Sequence, residues 1–107
     1  MSDPKNLVSK AFHTFQNEAP RHAEAWMRMV QSLTGASSLD AKTGALAYLA
    51  VLAVLRLESG IPFHVEMAKK AGASREEVIS AVLVGLAPAG HSVTKAVPVA
   101  IEAYDAG

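Results

Sequence analysis

The stretch from Ala45 to Leu55 constrains this chain more than any other segment. It is eleven consecutive apolar residues, closed by Arg56. A bilayer span needs roughly 20 such residues, so the run reads as a buried helix. That helix is apolar on every side and has to be enclosed, either by a large domain or by other subunits. A chain of 107 residues supports one domain, residues 1–107, and buries only somewhat over ~60% of its unfolded surface. Enclosure by further copies of the chain is therefore the expectation.

Helix signals divide the rest. Ser2-Asp3-Pro4 sets a capping side chain before a proline, and Leu7, Val8, Ala11, Phe12 and Phe15 follow at helical spacing up to Ala19-Pro20. A second helix is predicted from about Arg21 to Leu33, with Ala23, Trp26, Met27, Val30 and Leu33 as its stripe and Gly35 as its stop. The third, apolar helix is predicted to begin after Asp40 and to reach about Glu58. Pro62 suits the first turn of a fourth helix ending at Gly72. Ser74 and Glu77 then form a capping box for a fifth, which Ala87-Pro88-Ala89-Gly90 ends. A last helix is predicted from about Ser92 to Tyr104, bent or delayed by Pro98. No window alternates with period two. The expected fold is all-α, with about six helices in an oligomer.

Composition excludes several functions. Ten basic and ten acidic residues balance, which removes the electrostatic basis for nonspecific nucleic-acid binding. The sequence has no cysteine, hence no disulfide, thiolate zinc site, iron–sulfur cluster or thiol nucleophile. Residues Met1 to Lys10 lack the apolar core of a signal peptide, and no lipidation motif is present. A cytoplasmic protein without membrane contact is expected.

Four histidines remain as candidate chemistry. His64 is predicted to lie near the centre of an apolar stripe formed by Phe63, Met67, Ala68 and Ala71. A histidine facing a core must be hydrogen-bonded; it is more often structural than a general acid/base, and both readings stay open. Glu58 is the acid nearest in sequence to that segment, and a solvated helix end is its commoner role. His91 precedes the cap Ser92 at a helix start, where backbone N–H groups favour anions, or else it is an exposed loop residue. His13 and His22 read as surface, and Arg56 as half of a surface ion pair or a carboxylate anchor. No two histidines are three or four apart, so no metal site is expected.

The segment Leu39 to Tyr104 resembles the carboxymuconolactone decarboxylase family, which includes the alkylhydroperoxidase D (AhpD)-like proteins. The resemblance rests on Leu39-Asp40-Ala41-Lys42-Thr43, the apolar helix, and the run from His64 to Val78. That run reads His, three residues, Ala, three residues, Gly-Ala-Ser, two residues, Glu. It implies an all-α fold and a homotrimer or homohexamer, in agreement with the enclosure argument. The AhpD branch uses Cys-x-x-Cys-x-x-x-His with an upstream glutamate. The corresponding positions here are Leu57, Gly60 and Ala45, and His64 alone is kept. The decarboxylase branch also lacks the cysteine pair and acts on a small anionic γ-lactone. It often carries an acid four residues before the histidine, where this chain has Gly60. The resemblance implies a cofactor-free lyase or isomerase for a small organic acid or lactone, with His64 as general acid/base and Glu58 or His91 as companion. The alternatives are an AhpD-like member that has lost its redox cysteines, and a non-catalytic oligomer binding a small ligand.

Overall fold

A computed structural model of the chain describes residues 8–106. The Ser2-Asp3-Pro4 cap and Leu7 lie outside the described residues. Among these, there is no strand. The helices are α1 (Lys10–Glu18), α2 (Pro20–Ala36), α3 (Ala41–Val54), α4 (Ile61–Lys70), α5 (Arg75–Val82), the single turn α6 (Leu86–Ala89) and α7 (Ala96–Ala106).

Local chemistry sets most of these boundaries. The Ser9 side chain accepts from the Phe12 N–H and starts α1. Asp40 accepts from the Thr43 N–H at 2.7 Å and starts α3. At α5 the reciprocal capping box is present: Glu77 N–H donates to Ser74 Oγ at 3.1 Å, and Ser74 N–H donates to Glu77 Oε1 at 2.8 Å. Pro98 is the third residue of α7, where its missing N–H costs no helical bond. The 3-10 turn His91–Lys95 occupies the start predicted for that helix.

Three boundaries depart from the sequence reading. Helix α2 runs through Gly35 to Ala36, because glycine only weakens a helix and the extended Ser37 is what stops it. Helix α3 ends at Val54, short of Glu58. Arg56 turns left-handed (φ 60°) and the Leu57 N–H returns to the Leu52 carbonyl at 2.9 Å, a Schellman-type closure without glycine. Glu58–Gly60 is then a separate 3-10 turn leading into α4. The fifth helix breaks at Leu83, so Leu86 starts α6 and is exposed.

The core lies among α3, α4, α5 and α7. Leu49, Ile61, Val65, Val78, Val82 and Val93 are its largest fully buried side chains, and no polar side chain of the described residues is buried with them. Helix α7 is clasped to the α4–α5 corner. Tyr104 Oη donates to the Ala73 carbonyl at 3.0 Å, and Lys69 Nζ donates to the Tyr104 carbonyl at 2.8 Å. Arg75 holds Asp105 through two nitrogens at 3.0 and 3.2 Å. Helices α1 and α2 contribute no buried residue. They pair with each other through Phe12 and Trp26, whose rings meet edge to face at 5.3 Å.

Removing the Ser74 hydroxyl leaves the Glu77 N–H without its cap and breaks the reciprocal pair. Ser74→Ala is expected to cost about 1 kcal/mol, read as a melting temperature lower by roughly 4–8 °C. An unchanged thermal transition would contradict this role for the capping box.

Candidate functional site

The geometry around His64 follows from where α4 sits. The helix begins at Ile61 with Pro62 in its first turn and lies against both α3 and α7. Ile61, Val65 and Ala68, at spacings of four and three, face those neighbours and are fully buried. This corrects the expected stripe of Phe63, Met67, Ala68 and Ala71. The buried face is turned by about 100°, one residue's step, because α4 fills the angle between two helices and takes its most branched side chains inward. Met67 is exposed as a result. His64 lies at the edge of the buried face, half-buried.

Two aromatic rings hold the imidazole. Tyr48 of α3 stacks on it with centroids 4.0 Å apart and planes 17° from parallel. Phe63 meets it edge-on at 5.2 Å and 77°. Tyr48 was not singled out from the sequence. The available signal was that it is the one residue of the Ala45–Leu55 run with a polar atom in its side chain. Burial pushes the His64 pKa below the ordinary histidine value, with no charged neighbour to offset it. Among the described residues nothing hydrogen-bonds the ring. His64 is thus a neutral imidazole near pH 7, with an aromatic floor and a partly open edge.

The other candidates are placed elsewhere or engaged otherwise. Arg56 Nε donates to Glu58 Oε1 at 2.9 Å. That bond, with the nearby positive charges of Arg56 and Lys95, keeps the Glu58 carboxyl below its ordinary pKa. Glu58 is therefore an anion committed to Arg56. His91 is exposed at the first position of its 3-10 turn, after Gly90 at φ 92°. His13 and His22 belong to α1 and α2. Among the described residues no three His, Cys, Asp or Glu side chains cluster closely enough to hold a metal ion. None of these helices is long and apolar enough to cross a membrane.

A groove of about 620 Å³ opens on a different face, between α3 and α5. Small side chains form its floor (Ala47, Ala50, Ala81, with Thr43 and Ser80), and Leu46 and Val84 add apolar walls. The ion pair of Lys42 and Glu77, 3.0 Å apart, stands at one end. His64 is not among its lining residues. The groove and the imidazole flank the same helix on separate sides.

Residues 20–102 match the model of the carboxymuconolactone decarboxylase family. The match spans α2 to the middle of α7 and includes Tyr48, Phe63 and His64. The chain belongs to the carboxymuconolactone decarboxylase family. No curated protein and no solved structure matches it. This member carries no cysteine anywhere in its sequence, so it has no thiol pair, and the corner presents an imidazole between two aromatic rings.

The sign of the His64 shift fixes a pH dependence. Because the folded pKa lies below the unfolded one, the unfolded chain binds the proton more readily in the window between them. The full contribution to stability is present above about pH 6.5 and is lost as pH falls through the folded value. Chemical denaturation across pH 5–8 is expected to show this acid-side loss in the native protein and a reduced one in His64→Gln. Equal slopes in both would contradict it.

Proposed function

We propose that this family member is a cofactor-free lyase or isomerase acting on a small organic acid or lactone, with His64 as its general acid/base. The observation that carries the reading is the neutral, half-buried imidazole held between Tyr48 and Phe63. A neutral imidazole near pH 7 accepts a proton from a carbon acid or a bound water, and the imidazolium so formed returns it. In a decarboxylation of this kind the electron pair released with CO₂ is held as the enolate of the lactone carbonyl. Carbon then takes a proton that the imidazole first draws from water, and the ring ends as it began, neutral. An apolar surround strengthens such charge–dipole interactions by excluding water. Self-association into a trimer or hexamer is part of the proposal, supported by the exposed apolar side chains on α3.

One observation favours a second reading, a non-catalytic oligomer that binds a small ligand at the same corner. Stacking alone positions the His64 ring, whereas general acid/base histidines are commonly fixed in one tautomer by a hydrogen bond to the far nitrogen. A kinetic screen of lactones and carboxylic acids separates the two. On the catalytic reading, His64→Gln keeps helicity and assembly mass and lowers turnover about 10²–10⁴-fold. Saturable binding without turnover in the native protein establishes the second reading, and a fully active His64→Gln refutes the first.

Thiol chemistry is expected to be absent in either case. Dithiol-coupled peroxide reduction by pure protein should not exceed the protein-free rate, since the four methionine thioethers do not cycle as thiolates do. Coupled turnover proportional to protein concentration would contradict this.

A further inference from the structure

Helices α3 and α4 meet in a register that has a centre. Tyr48 stacks on His64 with ring centroids 4.0 Å apart. One helical turn further along α3, Leu52 takes the next place on the same face. One turn back from His64 lies Gly60, the residue before α4. A side-chain carbon added at Gly60 would meet both Leu52 methyl carbons at 3.6 Å. The two contacts therefore run antiparallel. Tyr48 and His64 each lie eight positions from Arg56, and Leu52 and Gly60 each lie four. Arg56 is the residue about which the pairing is symmetric.

Among the described residues Arg56 is also the one non-glycine with a positive φ, 60°. The left-handed region crowds Cβ against the following carbonyl, so glycine usually takes such a place. The turn closes there all the same. The Arg56 N–H donates to the Ala53 carbonyl at 3.3 Å, and the Leu57 N–H reaches back to the Leu52 carbonyl at 2.9 Å. The Gly60 N–H then donates to the Leu57 carbonyl at 3.0 Å. Leu52 thus anchors the turn through its carbonyl and meets Gly60 with its side chain. Beyond Gly60 the chain enters α4 at once. Ile61, its first residue, is fully buried, and His64 is its fourth. No slack segment separates the turn from the imidazole. The Arg56 side chain holds Glu58 at 2.9 Å but is 42% exposed, and an ion pair in solvent contributes little. The backbone at Arg56 is what remains to set the register.

We infer that Arg56 is a positioning residue for His64: its left-handed backbone sets the α3–α4 register that brings the imidazole against the Tyr48 ring. A slip by one residue turns the side chain about 100° around its helix, off the tyrosine face. The ring then loses its stacking partner and the burial that comes with it. The inference deepens the proposed function and rests on it for the chemistry of His64. Its test reads the imidazole itself, so the two can fail separately.

The test is the NMR signature of the His64 ring in the full chain. A stacked tyrosine displaces the imidazole protons upfield through its ring current. Arg56→Gly and Arg56→Asn place residues that enter the left-handed region readily, and both are expected to keep that displacement. So is Glu58→Gln, which removes the charge from the ion pair and leaves the backbone alone. Arg56→Val introduces a branched residue that resists the left-handed region. It is expected to lose the displacement and to move the titration midpoint up toward about pH 6.5, with helicity by circular dichroism retained. A single glycine inserted after Arg56 lengthens the turn without strain and is expected to do the same; it decides the matter if Arg56→Val loses its helicity. Displacement that survives the insertion or a folded Arg56→Val, or that vanishes in Arg56→Gly, Arg56→Asn or Glu58→Gln, would overturn the inference. A native chain that turns over no acid or lactone, yet shows the expected order of variants, would refute the lyase reading and establish the positioning role.

Discussion

Everything in this molecule is organised around a helix with no polar side. Helix α3 sends Leu49, Leu52 and Ala53 into the core. It lays Tyr48 against His64, floors a groove with Ala47 and Ala50, and leaves Val51 and Val54 in solvent. Each exposed apolar side chain of such a helix forgoes about 25 cal/mol per Å² of burial. The exposed side of α3 is the strongest physical reason to expect a partner. The same helix also fixes the His64 corner, so the core and the candidate site share one element.

Leu57 and Gly60 stand where the resemblance to AhpD-like proteins would place two thiols. A side-chain carbon added at Gly60 would meet the Leu52 side chain at 3.6 Å, ordinary contact distance, so this turn packs against α3. What survives is an imidazole kept neutral by burial and flanked by Tyr48 and Phe63. The one acid close in sequence, Glu58, is held by Arg56. This neutral imidazole is the basis of the function proposed.

Much of the fold was legible because its signals are local. The Ser74–Glu77 capping box, the Asp40 cap and the delay that Pro98 imposes on α7 are read from spacings of three or four residues, and the structure shows each of them. What escaped was set by long-range packing. The rotation of α4 depends on its lying between α3 and α7, which no periodicity within ten residues reveals. The end of α3 depended on Arg56 adopting a left-handed conformation, a role usually taken by glycine. Tyr48 and His64 are 16 positions apart, and their stacking comes from the packing of α3 against α4. His64 was found through its motif, whereas its neighbour had only an anomalous polar atom to mark it.

The central claim is that α3, through Tyr48, buries the His64 imidazole and keeps it neutral. An NMR titration of the His64 ring protons, in the native protein and in Tyr48→Ala, tests it most directly. The account requires His64 to titrate below the ordinary histidine range in the native protein and to move back up toward it when the tyrosine ring is removed. A native His64 that titrates at or above about pH 6.5, or one whose midpoint is unmoved by Tyr48→Ala, would contradict it.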